Sequence, residues 1–184
     1  EVVVTRDPAE IASRPAVVLP GVGSFQRAVA NLKEYGLWDI LAGHLKAGKP
    51  FLGICLGFQL LFTGSEENGW TEGLEIFRGK AVRLPSCVKV PHMGWNRVEC
   101  VHPSPLVAGI PEGALFYFDH SYCVVPDEPG VVAGVTHYGF QFCSLLSHGN
   151  IFGTQFHPEK SSTVGLKMLA NFKEVVERAR DTGP

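Results

Sequence analysis

The stretch that most restricts the fold is residues 51–62, where a short apolar run passes directly into a helical pattern across a pair of glycines. Residues 51–54 predict a buried strand, and the apolar spacing of residues 56–62 predicts a helix. The junction, Gly53-Ile54-Cys55-Leu56-Gly57, has the spacing of a tight strand-to-helix turn, in which glycines let backbone segments approach closely. The sequence therefore predicts that Cys55 lies on a sharp turn at the carboxyl end of a strand.

The first part of the sequence alternates short apolar runs with helical patterns. Strands are expected at residues 2–5, 16–19 and 51–54, and helices at residues 7–11, 25–34, 37–46 and 56–62. The first helix is expected to have Asp7 as its N-cap and Pro8 at its first position. Strands that are apolar on both faces and alternate with helices are typical of a parallel sheet covered by helices, so we expect an α/β fold.

The second part of the sequence changes to short strands joined by tight turns, after a loop rich in glycine and glutamate at residues 64–73. Further strands are expected at residues 80–84, 115–118, 121–125, 131–137, 140–146 and 151–155. This spacing predicts an antiparallel extension of the sheet. A closing helix is expected at residues 164–180, and its buried stripe at Met168, Leu169, Phe172, Val175, Val176 and Ala179. We interpret the whole chain, 1–184, as one domain.

Composition argues against several classes of function. The net charge is −2 and no basic run occurs, so binding to nucleic acid or to an anionic membrane surface is not expected. No stretch of about 18 apolar residues predicts a membrane span, and no secretory leader is evident. The five cysteines include no Cys-x-x-Cys pair, which argues against a disulfide framework and fits a cytoplasmic protein. Cys100 and His102 lack a second close pair, so no metal site is predicted.

Cys55 on the predicted turn is a candidate nucleophile. The start of a helix favours the thiolate, and the N–H of Leu56 can face an oxyanion that forms beside it. Pro158 keeps His157 extended, so His157 and Glu159 point the same way and can act as base and orienting carboxylate for a thiol. The alternatives are a buried cysteine in a glycine-rich turn and a surface turn after a strand, and the pattern alone leaves both open.

A second glycine-rich loop, Pro20-Gly21-Val22-Gly23, follows the strand predicted at residues 16–19. Gln26 stands where a dinucleotide-binding fingerprint needs its third glycine, so no nucleotide site is predicted. A loop at the carboxyl end of a parallel strand can instead present N–H groups to a developing oxyanion. Because Cys55 is expected at the same edge of the sheet, we expect this loop to lie beside it.

Together, the turn around Cys55 and the later run Gln155-Phe156-His157-Pro158-Glu159 resemble the class I glutamine amidotransferases. Within that family, the sequence is similar to the glutaminase subunits of imidazole glycerol phosphate synthases, and the most specific run is Val90-Pro91-His92-Met93-Gly94-Trp95-Asn96. The other similar runs are Pro20-Gly21-Val22-Gly23 with Phe25, Leu56-Gly57-Phe58-Gln59-Leu60-Leu61-Phe62, Ser65-Glu66-Glu67 and His157-Pro158-Glu159-Lys160-Ser161-Ser162. The resemblance implies a flavodoxin-like, doubly wound, mostly parallel sheet with an antiparallel extension.

The resemblance also implies an activity and a set of site residues. The enzyme would hydrolyse L-glutamine to glutamate and ammonia without a cofactor, through a triad of Cys55, His157 and Glu159. Oxyanion-binding groups would come from Gly21, Val22, Gly23 and Leu56. Glutamine would be held by Gln59, Glu67, Ser121 and Tyr122. Ammonia would pass to a (β/α)₈ barrel subunit, with which the chain forms a heterodimer, for a lyase and cyclase step of histidine biosynthesis. Interface positions would be Trp95, Tyr117 and Lys160.

The sequence departs from the family pattern at its beginning. Family members open with a strand and a helix that carry an Asp-Tyr-Gly-x-Gly-Asn-like stretch, which this sequence lacks, and Glu1 corresponds to the start of their second strand. We therefore expect an N-terminally truncated domain whose folding and barrel binding are affected. We interpret Cys87, Cys100, Cys123 and Cys143 as small apolar fillers.

Three alternative functions stay open. The same fold can supply ammonia for anthranilate, pyridoxal phosphate or GMP synthesis. It can also serve another cysteine hydrolase, such as a peptidase or γ-glutamyl hydrolase, which would not need residues 91–96. A non-catalytic binding module would be expected to lack the nucleophile or the His-x-Glu pair, and both are present. For the amidotransferase we also expect low basal activity until its partner binds.

Overall fold

The computed structural model describes residues 2–181, which form a ten-stranded mixed sheet, a separate two-stranded sheet and five α-helices. The helices are α1 (Pro8–Ser13), α2 (Phe25–Glu34), α3 (Trp38–Lys46), α4 (Leu56–Gln59) and α5 (Ser162–Asp181). The first strands are β1 (Val17–Gly21), β2 (Phe51–Cys55), β3 (Phe62–Ser65), β4 (Thr71–Glu72), β5 (Phe77–Arg83) and β6 (His92–Arg97). The others are β7 (Glu99–Cys100), β8 (Leu115–His120), β9 (Tyr122–Pro126), β10 (Val132–His137), β11 (Gln141–His148) and β12 (Ile151–Thr154).

The large sheet joins a parallel region to an antiparallel one. Its strands follow the order β1-β2-β12-β11-β9-β5-β3-β4, and β10 pairs with β11 and β7. The β1–β2, β2–β12 and β3–β5 pairs are parallel, whereas β11 pairs antiparallel with β9, β10 and β12. The expected α/β fold with an antiparallel extension is confirmed.

Helices cover both faces of β2, every residue of which is buried. Phe51 belongs to the apolar cluster formed with α2 and α3, and the next residue, Leu52, belongs to the cluster formed with α5. This alternation follows from the two-residue repeat of a strand. Of the stripe predicted on α5, Met168, Phe172 and Val175 are buried, whereas Leu169, Val176 and Ala179 lie at its edge and are only partly buried. Among residues 2–181, no helix combines the length and apolar character needed to cross a bilayer.

The start of the described chain differs from the prediction. Residues 2–5 form no strand, and Val2 and Val4 are 94% and 99% exposed. A single strand is not stable without a partner for its N–H and C=O groups, and no strand of residues 2–181 lies beside this segment. Glu1 lies outside the described residues. The cap of α1 is confirmed, because the Asp7 carboxylate accepts a hydrogen bond from the N–H of Ala9 at 2.9 Å.

The helix after Cys55 is one turn long, shorter than the predicted 56–62. The carbonyls of Leu60 and Leu61 accept hydrogen bonds from the N–H groups of Leu74 (2.7 Å) and Ile76 (2.9 Å) instead of continuing the helix. The chain then forms β3 across the end of the predicted helix and the start of the predicted loop, and β4 within that loop. Strand β6, which pairs with β8 in the small sheet, was also not predicted. These differences share one cause, since each depends on a partner segment distant in sequence.

Candidate active site

Cys55 occupies the predicted turn between β2 and α4. Its backbone has φ 53° and ψ −106°, a conformation that costs a residue with a side chain about 1–3 kcal/mol and is concentrated at functional sites. In the parallel register, Cys55 lies beside Gly21 at the end of β1. The expected strand-to-helix turn at the carboxyl edge of the sheet is therefore present.

The two glycines of the turn are required by close backbone contacts. A Cβ on Gly57 would lie 1.8 Å from the carbonyl oxygen of Leu19, and a Cβ on Gly53 would lie 2.6 Å from that of Gly57. Non-bonded carbon and oxygen atoms do not come this close, so either side chain would force the backbone to move. The glycines therefore let β1, β2 and α4 converge around Cys55.

His157 is held next to this turn by the segment that follows β12. Its backbone N–H donates to the carbonyl of Tyr117 at 2.8 Å, and its carbonyl accepts from the hydroxyl of Ser161 at 2.6 Å. The Nδ1 atom of His157 lies 2.7 Å from a carboxylate oxygen of Glu159. The other ring nitrogen is then left for Cys55, which lies close enough to the imidazole to favour its charged form. The structure thus brings together Cys55, His157 and Glu159.

The charges of these groups are coupled. Burial by itself would lower the pKa of His157, but hydrogen bonds and charge interactions with Cys55 and Glu159 raise it to about 9. Partial burial would raise the pKa of the Glu159 carboxyl, but the hydrogen bond from His157, a backbone hydrogen bond and the charges of His157 and Lys160 together outweigh burial and lower it. At neutral pH the imidazole is therefore protonated, between an ionised carboxylate and the sulfur.

We expect Glu159→Gln to lower the pKa of His157, because the variant removes a negative charge that favours the imidazolium. A ¹H–¹³C NMR titration of the imidazole measures this pKa directly. Glu177→Gln, which removes an exposed carboxylate paired with Lys173 on α5, is the control and should leave it unchanged. An unaltered His157 titration in Glu159→Gln would contradict the assigned contact.

A cavity of about 470 Å³ opens above Cys55. Most of the predicted site residues line it: Val22, Gly23, Cys55, Leu56, Gln59, Glu67, Ser121 and Tyr122. Four further lining residues were not predicted from the sequence: Arg83, Pro91, Asp119 and His120. Asp119 and His120 directly precede the predicted Ser121, and this closeness in sequence is the signal that could have identified them as lining residues. Nothing in the sequence pattern singled out Arg83, since it reaches the cavity through the pairing of β5 with β9, opposite Tyr122.

The glycine-rich loop after β1 lies beside Cys55 as predicted. Gly21 packs so tightly that a Cβ there would lie 2.9 Å from Cβ of Leu56, and Gly23 has φ 93°, which favours glycine. The Glu67 carboxylate accepts the N–H of Phe25 at 2.7 Å, the first residue of the helix after this loop. One wall of the cavity is therefore tied to the loop through Glu67.

The three residues expected at an interface form one cluster beside the small sheet: Trp95 on β6 and Lys160 after β12 are exposed, and Tyr117 on β8 is half-buried. The Trp95 and Tyr117 rings meet edge to face at 6.0 Å, and the ammonium group of Lys160 lies 5.8 Å from the Tyr117 ring. Trp95 is 51% exposed, which argues against a role in the core. The same Tyr117 holds the backbone of His157, so the cluster is directly connected to the segment that carries His157 and Glu159.

The remaining cysteines divide into two groups. Cys123 and Cys143 are buried, as predicted for apolar fillers, and burial raises the pKa of each thiol to about 12. The prediction is wrong for Cys87 and Cys100, which are exposed. Within residues 2–181, no group of three or more His, Cys, Asp or Glu side chains could hold a metal ion.

Comparison with known proteins gives a consistent result. A family model described as Glutamine amidotransferase class-I matches residues 2–175. The chain is 52% identical over 180 residues to the imidazole glycerol phosphate synthase subunit HisH of Moorella thermoacetica, over 98% of this chain and 86% of that protein. The protein of the same name from Aquifex aeolicus is 47% identical over 178 residues, which cover 97% of this chain and 86% of that one.

Solved structures share the fold at lower identity. A crystal structure of a glutamine amidotransferase gives a TM-score of 0.68 at 18% identity, over 94% of this chain and 85% of that chain. The structure of PurLQS from Thermotoga maritima gives 0.64 at 18% identity, over 90% and 80%. At these identities the likeness concerns the fold alone.

Proposed function

The chain belongs to the class I glutamine amidotransferase family, and from that we propose that it is the glutaminase subunit of an imidazole glycerol phosphate synthase. The observation that carries the proposal is Cys55, held in a strained turn at the base of a polar cavity and close enough to the hydrogen-bonded His157–Glu159 pair to raise the pKa of the imidazole. The relatives named HisH, at 46–52% identity over nearly the whole chain, support the choice of partner reaction.

In the proposed mechanism, the sulfur of Cys55 attacks the side-chain amide carbon of glutamine. The carbonyl oxygen then carries the negative charge of a tetrahedral intermediate. Backbone N–H groups of Leu56, Val22 and Gly23, which line the same cavity, and of Gly21, which lies beside Cys55 in the parallel register, would stabilise this charge. His157 donates a proton to the departing ammonia, which leaves a glutamyl thioester on Cys55.

Hydrolysis of the thioester uses the same groups, but His157 now acts as the base. Neutral His157 removes a proton from water, the hydroxide adds to the thioester carbonyl, and the sulfur departs as thiolate with release of glutamate. Glu159, at 2.7 Å from Nδ1, keeps the ring oriented and stabilises its charged form in both half-reactions. The reaction needs no cofactor, since one nucleophile and one base account for each bond made and broken.

The cavity suits a small zwitterion with an amide side chain. Glu67 offers a carboxylate for the α-ammonium group, and Arg83 offers a guanidinium for the α-carboxylate. Gln59, Ser121 and Tyr122 add polar groups in the same wall. We further propose a cytoplasmic location, because the catalytic thiol must stay reduced.

The cluster of Trp95, Tyr117 and Lys160 is the proposed contact with a (β/α)₈ synthase subunit in a heterodimer. Aromatic and cationic side chains of this kind are frequent at the centres of protein interfaces. The hydrogen bond from His157 N–H to the Tyr117 carbonyl gives this contact a direct route to the catalytic segment. Low basal activity in the absence of the partner would be consistent with that connection.

The proposed function is tested by measuring glutamine hydrolysis with and without the synthase barrel of the same organism. We expect glutamate production to rise on addition of the barrel and its ligand, and imidazole glycerol phosphate to form from glutamine without added ammonia. Stimulation by a GMP, anthranilate or pyridoxal phosphate synthase partner instead would support the alternative acceptor enzymes. Rapid hydrolysis that no partner changes would favour an independent cysteine hydrolase.

A further inference from the structure

Gln155 belongs to the run that precedes His157, but the proposed mechanism gives it no task. Its side chain is 0% exposed, and its Nε2 atom lies 3.7 Å from the sulfur of Cys55. Its Oε1 atom accepts a hydrogen bond from Nε2 of Gln59 at 3.2 Å. The nitrogen of the buried Gln155 amide therefore contacts the sulfur of Cys55, and its oxygen contacts a second buried amide, that of Gln59.

The orientation of both amides follows from the carbonyl of Tyr122. This oxygen only accepts hydrogen bonds, and Nε2 of Gln59 donates to it at 3.0 Å. The same nitrogen faces Gln155, so the oxygen of Gln155 must point toward Gln59. If the Gln155 amide were turned around, its N–H groups would face the N–H groups of Gln59, and these donors would have no acceptor between them inside a buried site. An N–H of Gln155 is thus directed at the Cys55 sulfur.

Two buried histidines hold the Tyr122 carbonyl in place. Nδ1 of His120 lies 2.8 Å from that oxygen, Nε2 of His120 lies 2.9 Å from Nδ1 of His92, and Asn96 Nδ2 lies 3.3 Å from Nε2 of His92. Burial lowers the pKa of His120 to about 3 and that of His92 to about 4, so both rings are neutral at pH 7. With each ring donating from Nδ1, every one of these contacts has one donor and one acceptor.

The sulfur needs a donor when it loses its proton. The neutral thiol can donate to the carbonyl of Asp119 at 3.8 Å, but a thiolate is repelled by that oxygen. Helix α4 has a single turn, so its dipole supplies little stabilisation. The N–H of Leu56 is directed to the oxyanion in the proposed mechanism. Among the hydrogen bonds of residues 2–181, the one that points a donor at the sulfur comes from the Gln155 amide, and the imidazole of His157 lies nearby.

We propose that Gln155 is a further catalytic residue of this site, whose Nε2–H donates a hydrogen bond that stabilises the Cys55 thiolate as attacking and as leaving group. The inference rests on the proposed function for its role in turnover. Its effect on the thiolate can be measured without glutamine. Hydrogen bonds to charged groups contribute about 1.5–3 kcal/mol, so removal of the donor should cost about tenfold or more in thiolate population.

The test compares the pH dependence of Cys55 alkylation by iodoacetamide, followed by mass spectrometry of the modified peptide. In Gln155→Met, which keeps the side-chain length but has no donor, we expect the midpoint of the profile to move about one unit to higher pH. We expect kcat for glutamine to fall about tenfold, with a smaller change in KM. Other charged or titratable groups also lie near the sulfur, so the quantity compared is the difference in alkylation midpoint between variants. These groups belong to His157, Glu159, Glu67, Asp119, His120 and Arg83.

Two further variants separate this role from packing. Gln155→Glu has nearly the shape of glutamine but places an oxygen against the sulfur, so it should shift the midpoint more than Gln155→Met. A purely structural role predicts the opposite order. Asn171→Leu removes a different buried amide, which donates to the carbonyls of Leu106 (2.8 Å) and Ala108 (2.9 Å), and should leave the midpoint unchanged.

An unshifted alkylation midpoint in folded Gln155→Met overturns the proposal. If the variants do not fold, the parent protein provides the test by NMR. A side-chain N–H proton of Gln155 should then move as Cys55 titrates, and an invariant resonance overturns the proposal equally. A shifted midpoint in a chain that hydrolyses no glutamine with any partner would instead support the hydrogen bond and refute the proposed function.

Discussion

Replacement of Cys55 by alanine is expected to reduce glutamine hydrolysis by about 10⁴- to 10⁶-fold, the loss seen when a catalytic nucleophile is removed from a triad. The thioester cannot form without the sulfur, and no other cysteine borders the cavity in residues 2–181. The variant should remain folded, because alanine can adopt the same backbone conformation as cysteine in this turn and its smaller side chain leaves only a small void. Glutamate release in the presence of the synthase barrel measures the effect.

Cys87→Ala is the matched control for this loss. Cys87 is exposed and lies outside the cavity, so its replacement should leave turnover and thermal stability unchanged. If the barrel supports normal glutamate release by Cys55→Ala, the assignment of the nucleophile is wrong. Circular dichroism melting of both variants distinguishes lost chemistry from lost structure.

Gly57→Ala is expected to destabilise the fold by about 3 kcal/mol or more and to abolish activity at the same time. The added methyl group would lie 1.8 Å from the Leu19 carbonyl oxygen and 2.9 Å from its carbon, and both belong to the backbone of β1. Relief of this contact requires separation of α4 from β1, and Cys55 lies at their junction. The midpoint of urea unfolding measures the free-energy change.

Gly43→Ala adds the same methyl group where nothing lies within 4 Å, on the exposed side of α3. Alanine favours a helix interior over glycine by about 0.5–1 kcal/mol, so this variant should be slightly more stable than the parent and fully active. An unfolding midpoint for Gly57→Ala close to that of Gly43→Ala would show that the turn can relax. The close approach around Cys55 would then not be a requirement of the fold.

The sequence was sufficient to predict the turn and its nucleophile because the constraint is local. A buried run, two glycines at fixed spacing and an apolar helical start all lie within residues 51–62. The same holds for the Asp7 cap of α1 and for the bounds of α2, which coincide with the predicted residues 25–34. In each case the physical cause is a contact between residues a few positions apart.

The predictions that proved wrong all concern segments whose structure depends on distant partners. The strand expected at residues 2–5 has no neighbour among the described strands, whereas β6 exists because it pairs with β8. Helix α4 ends early because the carbonyls of Leu60 and Leu61 bind Leu74 and Ile76. The exposure of Cys87 and Cys100 was likewise not evident from their apolar character.

The sequence by itself was enough to predict the α/β fold class, from the alternation of strands and helices, and to single out Cys55 and the His157–Glu159 pair, from short runs whose own residues impose their backbone geometry. Only the tertiary structure decided that the ends of β2, β5, β8 and β9 and the loop after β1 meet at one cavity. It also decided that Gln155, Gln59, Tyr122 and the two histidines form one hydrogen-bonded chain ending at the sulfur. The physical reason is the range of the interactions: turns and caps are fixed by near neighbours, whereas strand order and buried amide contacts join residues that only the folded sheet brings together.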